Sequence, residues 1–203
     1  MATVALASYG VYLLLAFGLR TWLQLRRTGA SGFEGVSGRP GSAEWLAGIL
    51  FGVALAIGVA APLLALANVV EPIEALDAGA THAVGIALFG LGLAGTLLAQ
   101  AAMGSSWRIG VDERARTELV TGGPFTVVRN PIFAVMLPAS TGLALMVPSV
   151  VALAGLAALF VALELQVRVV EEPYLLRTHG AEYSGYAARV GRFVPGLGRL
   201  RSS

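Results

Sequence analysis

Five long stretches of this chain hold almost no charge, and nothing else in the sequence restricts its fold as much. They cover residues 3–18 (extending through 22), 45–67, 82–103, 131–147 and 149–170. A helix that crosses about 30 Å of hydrocarbon needs roughly 17 to 25 apolar residues, so each stretch is long enough to be read as a span. With 56% hydrophobic and 13% charged residues and a mean hydropathy of +0.76, the chain is too apolar for an ordinary soluble domain. The expectation is an all-α, multi-pass integral membrane protein with five transmembrane helices. Only "VPS" separates the last two runs, which predicts a tight helical hairpin with Pro148 helping to end its first arm. The first run has no Lys or Arg before it and no cleavage-like polar region after it, so it is expected to stay in the mature protein.

All fourteen cations are Arg, and they are one-sided. Arg20, Arg26, Arg27 and Arg39 lie between runs one and two; Arg108, Arg114, Arg116 and Arg129 lie between runs three and four; six more lie at or after the end of run five. The link between runs two and three, "NVVEPIEALDAGAT", has acids and no Arg. By the positive-inside rule the N-terminus is expected outside and the C-terminus in the cytosol. There is no Cys, and the two His, His82 and His179, are far apart, so no metal site is expected. No nucleic-acid partner is expected either, and the oligomeric state is open.

Two regions follow. Residues 1–103 hold three helices and a Gly/Ser-rich cytosolic loop, 27–43. Residues 104–203 hold a cytosolic loop, the hairpin and a tail. Within the tail, "EEPYLLRTHGAEYSGYAARVGRFVPG" mixes Leu175, Leu176, Tyr183, Tyr186 and Val190 with Arg and Glu, which suits amphipathic helices lying on the membrane or on the other loop. "GLGLAG", residues 90–95, fits a dinucleotide-binding pattern, but it falls in the middle of a span where backbone N–H groups are already used. Its small residues are expected to let helices approach closely.

Polar residues near hydrocarbon need a reason, because a charge at a helix centre costs roughly 2.5–3.5 kcal/mol on insertion scales. Gln100 lies one turn before the end of run three, and run five carries Glu164, Gln166 and Arg168, followed by Glu171 and Glu172. On an α-helix Glu164, Arg168, Glu171 and Glu172 share one face, a charged stripe. Arg129 and Asn130 should lie at the same depth on the neighbouring helix. Two polar clusters at one level, roofed by the tail, make a pocket that suits a polar cofactor and a lipid-tailed substrate.

The series "ELVTGGPFTVVRNPIF", two spans in a hairpin and "EEPYLLRTHGAEYSGYAARVGRFVPG" resembles the isoprenylcysteine carboxyl methyltransferase and phospholipid methyltransferase group of membrane enzymes, over roughly residues 100–197. The count of five spans is familiar among prokaryotic members, which implies the cytoplasmic membrane with the active site facing the cytosol. The resemblance implies S-adenosylmethionine as cofactor, bound under the tail by Thr117, Glu118, Leu119, Val120, Phe125, Asn130, Pro131, Ile132, Phe133 and Glu171. It implies a lipid or lipidated acceptor near Arg168, with Gln100 and Glu164 beside it. In the arginine-histidine-proline element of the group this chain has Asn130 for His and Phe133 for Tyr, and Phe125 stands at a frequent Tyr position.

Methyl transfer needs alignment more than activation, and positioning alone can supply roughly 7–11 kcal/mol. The catalytic candidates are therefore Arg129 and Arg168, to hold a carboxylate acceptor, and Glu171, which with Glu172 could serve as base for an amine. The cation-rich pocket leans to O-methylation of a carboxylate. N-methylation of a phospholipid amine, an NADPH-dependent membrane lipid or sterol reductase, and a non-catalytic lipid-binding protein are the alternatives.

Overall fold

The computed structural model describes residues 1–32, 35–36, 38–104, 107 and 118–200, and their regular structure is helical apart from one isolated bridge. Helix α1 is Ala2–Thr28, α2 Ala43–Leu66, α3 Gly79–Met103, α4 Pro131–Met146 and α5 Val150–Arg189. Their ends follow from local chemistry. The Ser42 and Ser149 hydroxyls cap α2 and α5 by accepting from the N–H groups of Trp45 and Ala152, each at 3.2 Å. Gly29 ends α1 in the left-handed region at φ 77°, and Pro131 opens α4, where its missing N–H costs nothing.

Four of the five, α1, α2, α3 and α5, are long and apolar enough to cross a membrane. Helix α4 is apolar but has 16 residues, a rise of about 24 Å against a hydrocarbon core of about 30 Å. Helix α5 runs past its apolar part, residues 150–170, and bends at Gly180, whose φ of 49° takes it out of helical geometry. The tail is thus a continuation of the last helix with a bend in it.

Helices α4 and α5 are joined by the short 147–149 turn, but each lies mainly against another partner, α4 along α3 and α5 along α2. Glycines explain the α3–α4 contact. A Cβ on Gly142 would stand 2.5 Å from the Gly85 carbonyl oxygen and the Phe89 nitrogen, and one on Gly92 2.6 Å from the Ala139 Cβ. Gly95 meets Val135 in the same way, whereas Gly90 faces open space. Two of the three glycines of "GLGLAG" are therefore packing positions. Gly142→Val is expected to force the helices apart and cost about 1–3 kcal/mol or more, while Gly90→Ala is near neutral. Melting temperatures of the two variants in one detergent check this.

The two ends of the bundle differ in charge. The Ile73 N–H donates to the Pro148 carbonyl (2.7 Å), so the acidic 67–78 link and the α4–α5 turn share one end. At the other end an Arg20 terminal nitrogen donates to the Gly104 carbonyl, and the Arg20 guanidinium lies 5.0 Å from the centre of the Trp107 ring. That contact joins α1 to the end of α3.

Candidate functional site

At the arginine-bearing end a roof covers the bundle. The backbone of residues 128–130 pairs with residues 191–192: the Arg129 N–H donates to the Gly191 carbonyl (2.8 Å) and the Asn130 N–H to that of Arg192 (3.1 Å). The Tyr186 hydroxyl donates to the Phe125 carbonyl at 2.6 Å, and Tyr183 beside it is fully buried. The "GPF" turn is therefore held down by Tyr186, against whose ring Tyr183 packs.

Arg129 is the pin of this roof. Its Nη1 donates to the carbonyls of Ala187 (3.0 Å) and Val190 (2.6 Å), and its Nη2 to the Gly198 carbonyl (3.0 Å) and Glu172 Oε1 (2.5 Å). Arg192 grips the same carboxylate from the other side, Nε to Oε1 at 2.9 Å and Nη2 to Oε2 at 2.8 Å. Burial alone would raise the Glu172 pKa, but the hydrogen bonds from Arg192 and Arg129 outweigh it and hold the carboxyl below its ordinary range. Two cations share one carboxylate, and the backbone carbonyls of Ala187, Val190 and Gly198 take the remaining terminal donors of Arg129. The bidentate grip on an acceptor expected of Arg129 is thus corrected: its terminal nitrogens are taken by the roof, and only Nε, buried, has no partner.

Under the roof lies a cavity of about 410 Å³, within the range of ligand pockets. It gathers nearly all the residues expected at the cofactor: Glu118, Leu119 and Val120 on one wall, Phe125 from the turn, Asn130 to Phe133 from the start of α4, and Glu171 from α5. Gln100 and the inner face of Arg129 also line it. Thr117 lies outside the described residues. Arg168 and Glu164 are not in its wall; they pair with each other, and Arg168 is 58% exposed.

The charged stripe is therefore split, and the cause is local. Residues Gln166–Glu171 form a π-helical turn, whose wider winding breaks the α-helical register. Glu171 is turned to the cavity and Glu172 to the roof, while Arg168 remains outside with Glu164. Gln166 Nε2 is 3.4 Å from Glu171 Oε1. Glu171 follows the apolar part of α5, and burial pushes its carboxyl up to about 7; the Gln166 hydrogen bond opposes this and the Glu172 charge adds to it. Burial thus favours the neutral form of the Glu171 carboxyl in the ligand-free cavity.

Two further groups face the cavity with spare acceptors. Asn130 Nδ2 donates to the Arg192 carbonyl at 3.3 Å, which leaves Oδ1 for a ligand. Gln100 is 4% exposed; its Nε2 donates to the Ala16 carbonyl (2.8 Å) within the π-helical turn Leu14–Leu19 of α1, and its Oε1 is buried without a partner. Because the amide nitrogen is fixed, the free oxygen cannot be exchanged for a donor. Gln100→Leu should orphan the Ala16 carbonyl, costing about 1–3 kcal/mol, and weaken a ligand that donates to Oε1 about tenfold. Melting temperature and ligand titration on the same sample separate the two effects.

Sequence reasoning missed Arg192, which is the partner of Glu172, and the aromatic walls Phe17, Phe51, Trp107 and Tyr174. Arg192 had a signal: it lies in the tail, three residues before Pro195, in a chain where a buried Glu must be matched. Phe17 and Phe51 had none, because in apolar spans they look like any lipid-facing residue, and Trp107 and Tyr174 stand in the loop and the tail with nothing local to direct them inward. Among the described residues no three of His, Cys, Asp and Glu come together in a way that could hold a metal ion.

Residues 80–182 match the family model described as phospholipid methyltransferase. The chain is also 32% identical over 120 residues to the nickel-cobalt-cadmium resistance protein NccN of Alcaligenes xylosoxydans xylosoxydans, an alignment that covers 59% of this chain and 55% of that protein. It thus spans about half the length of that curated relative. No solved structure matches. The family match takes in α3, the "GPF" turn, α4 and α5 up to the residue before Tyr183, which supply much of the cavity wall, and the chain belongs to the phospholipid methyltransferase family.

Proposed function

We propose that the protein is an S-adenosylmethionine-dependent methyltransferase acting on a lipid-tailed acceptor at the membrane. The observation that carries this reading is the single cavity, polar under the roof and apolar towards the bundle, that joins Glu118, Asn130 and Glu171 to Phe51, Met136 and Leu163. The cofactor is a cation with an amine and a carboxylate, and the groups present suit it. Glu171 and the free oxygens of Asn130 and Gln100 would hold its positive and donor groups. The N–H groups of Ile132 and Phe133, in the first turn of α4, lack helical partners and would take the carboxylate. Bound there, the cofactor would supply an already activated methyl group for transfer to the acceptor. The chain's own part is to align the two, exclude water and, for an amine, accept the proton.

The acceptor reads as an amine. The cation-held carboxylate expected from the sequence loses both supports among the described residues, since Arg129 is closed into the roof and Arg168 lies outside the cavity. Glu171, in the cavity wall, is the carboxylate placed to accept the amine's proton. Purified protein supplied with methyl-labelled cofactor and membrane lipid extract tests this. Lipid label that stays non-volatile after base treatment supports the N-methyl reading, label released by base as methanol returns the acceptor to a carboxylate, and unlabelled lipid removes the enzyme reading.

We also propose five crossings, with the N-terminus outside and the cavity mouth at the cytosolic face of a prokaryotic cytoplasmic membrane. The one-sided Arg distribution supports this orientation. The chain has no Cys, so single cysteines placed at Ala78 and Ser184 report it cleanly: an impermeant thiol reagent added to intact cells should label the first and spare the second.

A further inference from the structure

The apolar end of the main cavity stops at a partition. A second cavity of about 40 Å³ lies among α1, α2, α4 and α5, walled by small residues that include Ala54, Gly58, Ala61, Ala144 and Gly155. Among the described residues, Leu55 and Met136 alone line both cavities. The two side chains therefore stand between one space and the next. Met136 is six residues along α4 from Asn130, so the partition lies about 9 Å deeper than the polar rim.

The two members of the partition differ in freedom. Leu55 is held through its backbone, because the Tyr9 hydroxyl donates to its carbonyl (3.2 Å) and the Tyr9 ring lies where a Cβ of Gly58 would be. Met136 is 4% exposed and sits in a cluster with Ala54, Leu159 and Leu163 that offers its side chain no polar anchor. An unbranched thioether with three rotatable bonds adapts to its neighbours more readily than any other apolar side chain.

Resting on the reading that a lipid-tailed acceptor fills the main cavity, we propose that Met136 sets the longest single hydrocarbon tail the acceptor can carry. The tail runs from the polar rim past Phe51 and Leu163, and its end abuts Met136. The small-residue crevice behind is space that a tail reaches only when Met136 is shortened or turned aside. A methylene that fits or fails in an apolar pocket changes selectivity roughly 10- to 200-fold, so the tail-length cut-off should be sharp.

The test uses the full chain in membranes of an expressing host, with the methyl-labelled cofactor and a set of saturated single-chain phosphatidylethanolamines that differ only in tail length. Wild type, Met136→Ala, Met136→Phe and Met136→Leu are compared by mass spectrometry of the labelled lipids. Met136→Ala is expected to move the cut-off to longer tails, with at least tenfold more labelled product from tails just beyond the wild-type limit. Met136→Phe should move it to shorter tails, and the volume-conserving Met136→Leu should leave it in place. Should Met136→Ala fail to fold, Leu55→Ala opens the same partition and carries the same expectation. An identical length profile in wild type and in the folded variants overturns the proposal while leaving the methyltransferase reading intact. Label in none of the lipids with wild type overturns the acceptor reading and the proposal with it.

Discussion

Glu172→Gln is expected to lower the stability of the folded protein by about 3–5 kcal/mol, the usual cost of removing one partner from a buried ion pair. Among the described residues the carboxylate is the only anion in contact with both Arg129 and Arg192, and the side chains of the three are 7%, 1% and 11% exposed. Without its charge, two guanidiniums remain under a roof that has little water to offer them. Arg129 would still donate to the carbonyls of Ala187, Val190 and Gly198, so the roof should loosen at Arg192 first. The double variant Glu172→Gln, Arg192→Gln should recover part of the loss, because it removes one stranded cation together with its partner.

The pH dependence of this clamp has a definite sign. The Glu172 pKa lies below its ordinary value of 4.5 in the folded chain, so the folded state holds its proton more weakly than the unfolded one. The stability it contributes is then fully present above about 4.5 and is lost as the pH falls through the depressed value. Melting in detergent should show an acid limb in wild type that Glu172→Gln lacks. A variant as stable as wild type at neutral pH would mean that Arg129 is satisfied by the backbone alone.

Glu171→Gln is expected to act in the opposite way on stability and to remove function. Burial raises the Glu171 carboxyl to about 7, so the folded ligand-free protein prefers it neutral. The stability of that neutral form is present below the ordinary 4.5 and lost as the pH rises through about 7. At pH 8 the ligand-free Gln variant should therefore melt higher than wild type. A cationic ligand reverses the preference, since it pairs with the ionised carboxylate. Wild-type affinity for S-adenosylmethionine should rise with pH through about 7 and then level off, while the Gln variant binds about 10- to 150-fold more weakly, the equivalent of 1.5–3 kcal/mol. The variant's pH profile should be flat. Methyl transfer should fall at least as far as binding. Full activity in a folded Glu171→Gln chain would remove this residue from the site.

The sequence made the membrane class legible because hydropathy needs no tertiary information: runs long enough to cross are visible one residue at a time. It made the polar part of the cavity wall legible too, because residues 118–133 form one continuous stretch and the tail that carries Tyr183 and Tyr186 has a recognisable spacing of its own. Two things it could not show. A helical wheel drawn at 100° per residue places Arg168 with Glu171 and Glu172, and the π-helical turn over Gln166–Glu171 breaks that geometry. Nothing in the local residue types announces such a turn. Likewise Arg129 stood out as an expensive cation, but whether its fork faces a ligand or the chain's own carbonyls depends on where residues 187–198 return, and that is a long-range fact.

The helical hairpin illustrates the same limit on a larger scale. A three-residue link makes α4 and α5 neighbours in the chain, yet Gly85, Gly92 and Gly142 bring α3 against α4 so closely that this pair becomes the tight one. Glycine spacing can suggest a close helix contact, but it does not say which helix comes close.

The central claim is that the cavity under the Arg129–Glu172–Arg192 roof binds S-adenosylmethionine. Calorimetric titration of the full chain in lipid nanodiscs with S-adenosylmethionine, and separately with NADPH, measures it directly. The expected result at pH 8 is saturable, one-to-one binding of S-adenosylmethionine that weakens in Glu171→Gln, with no binding of NADPH. Absence of saturable S-adenosylmethionine binding to folded wild type, or binding of NADPH in its place, would contradict the account.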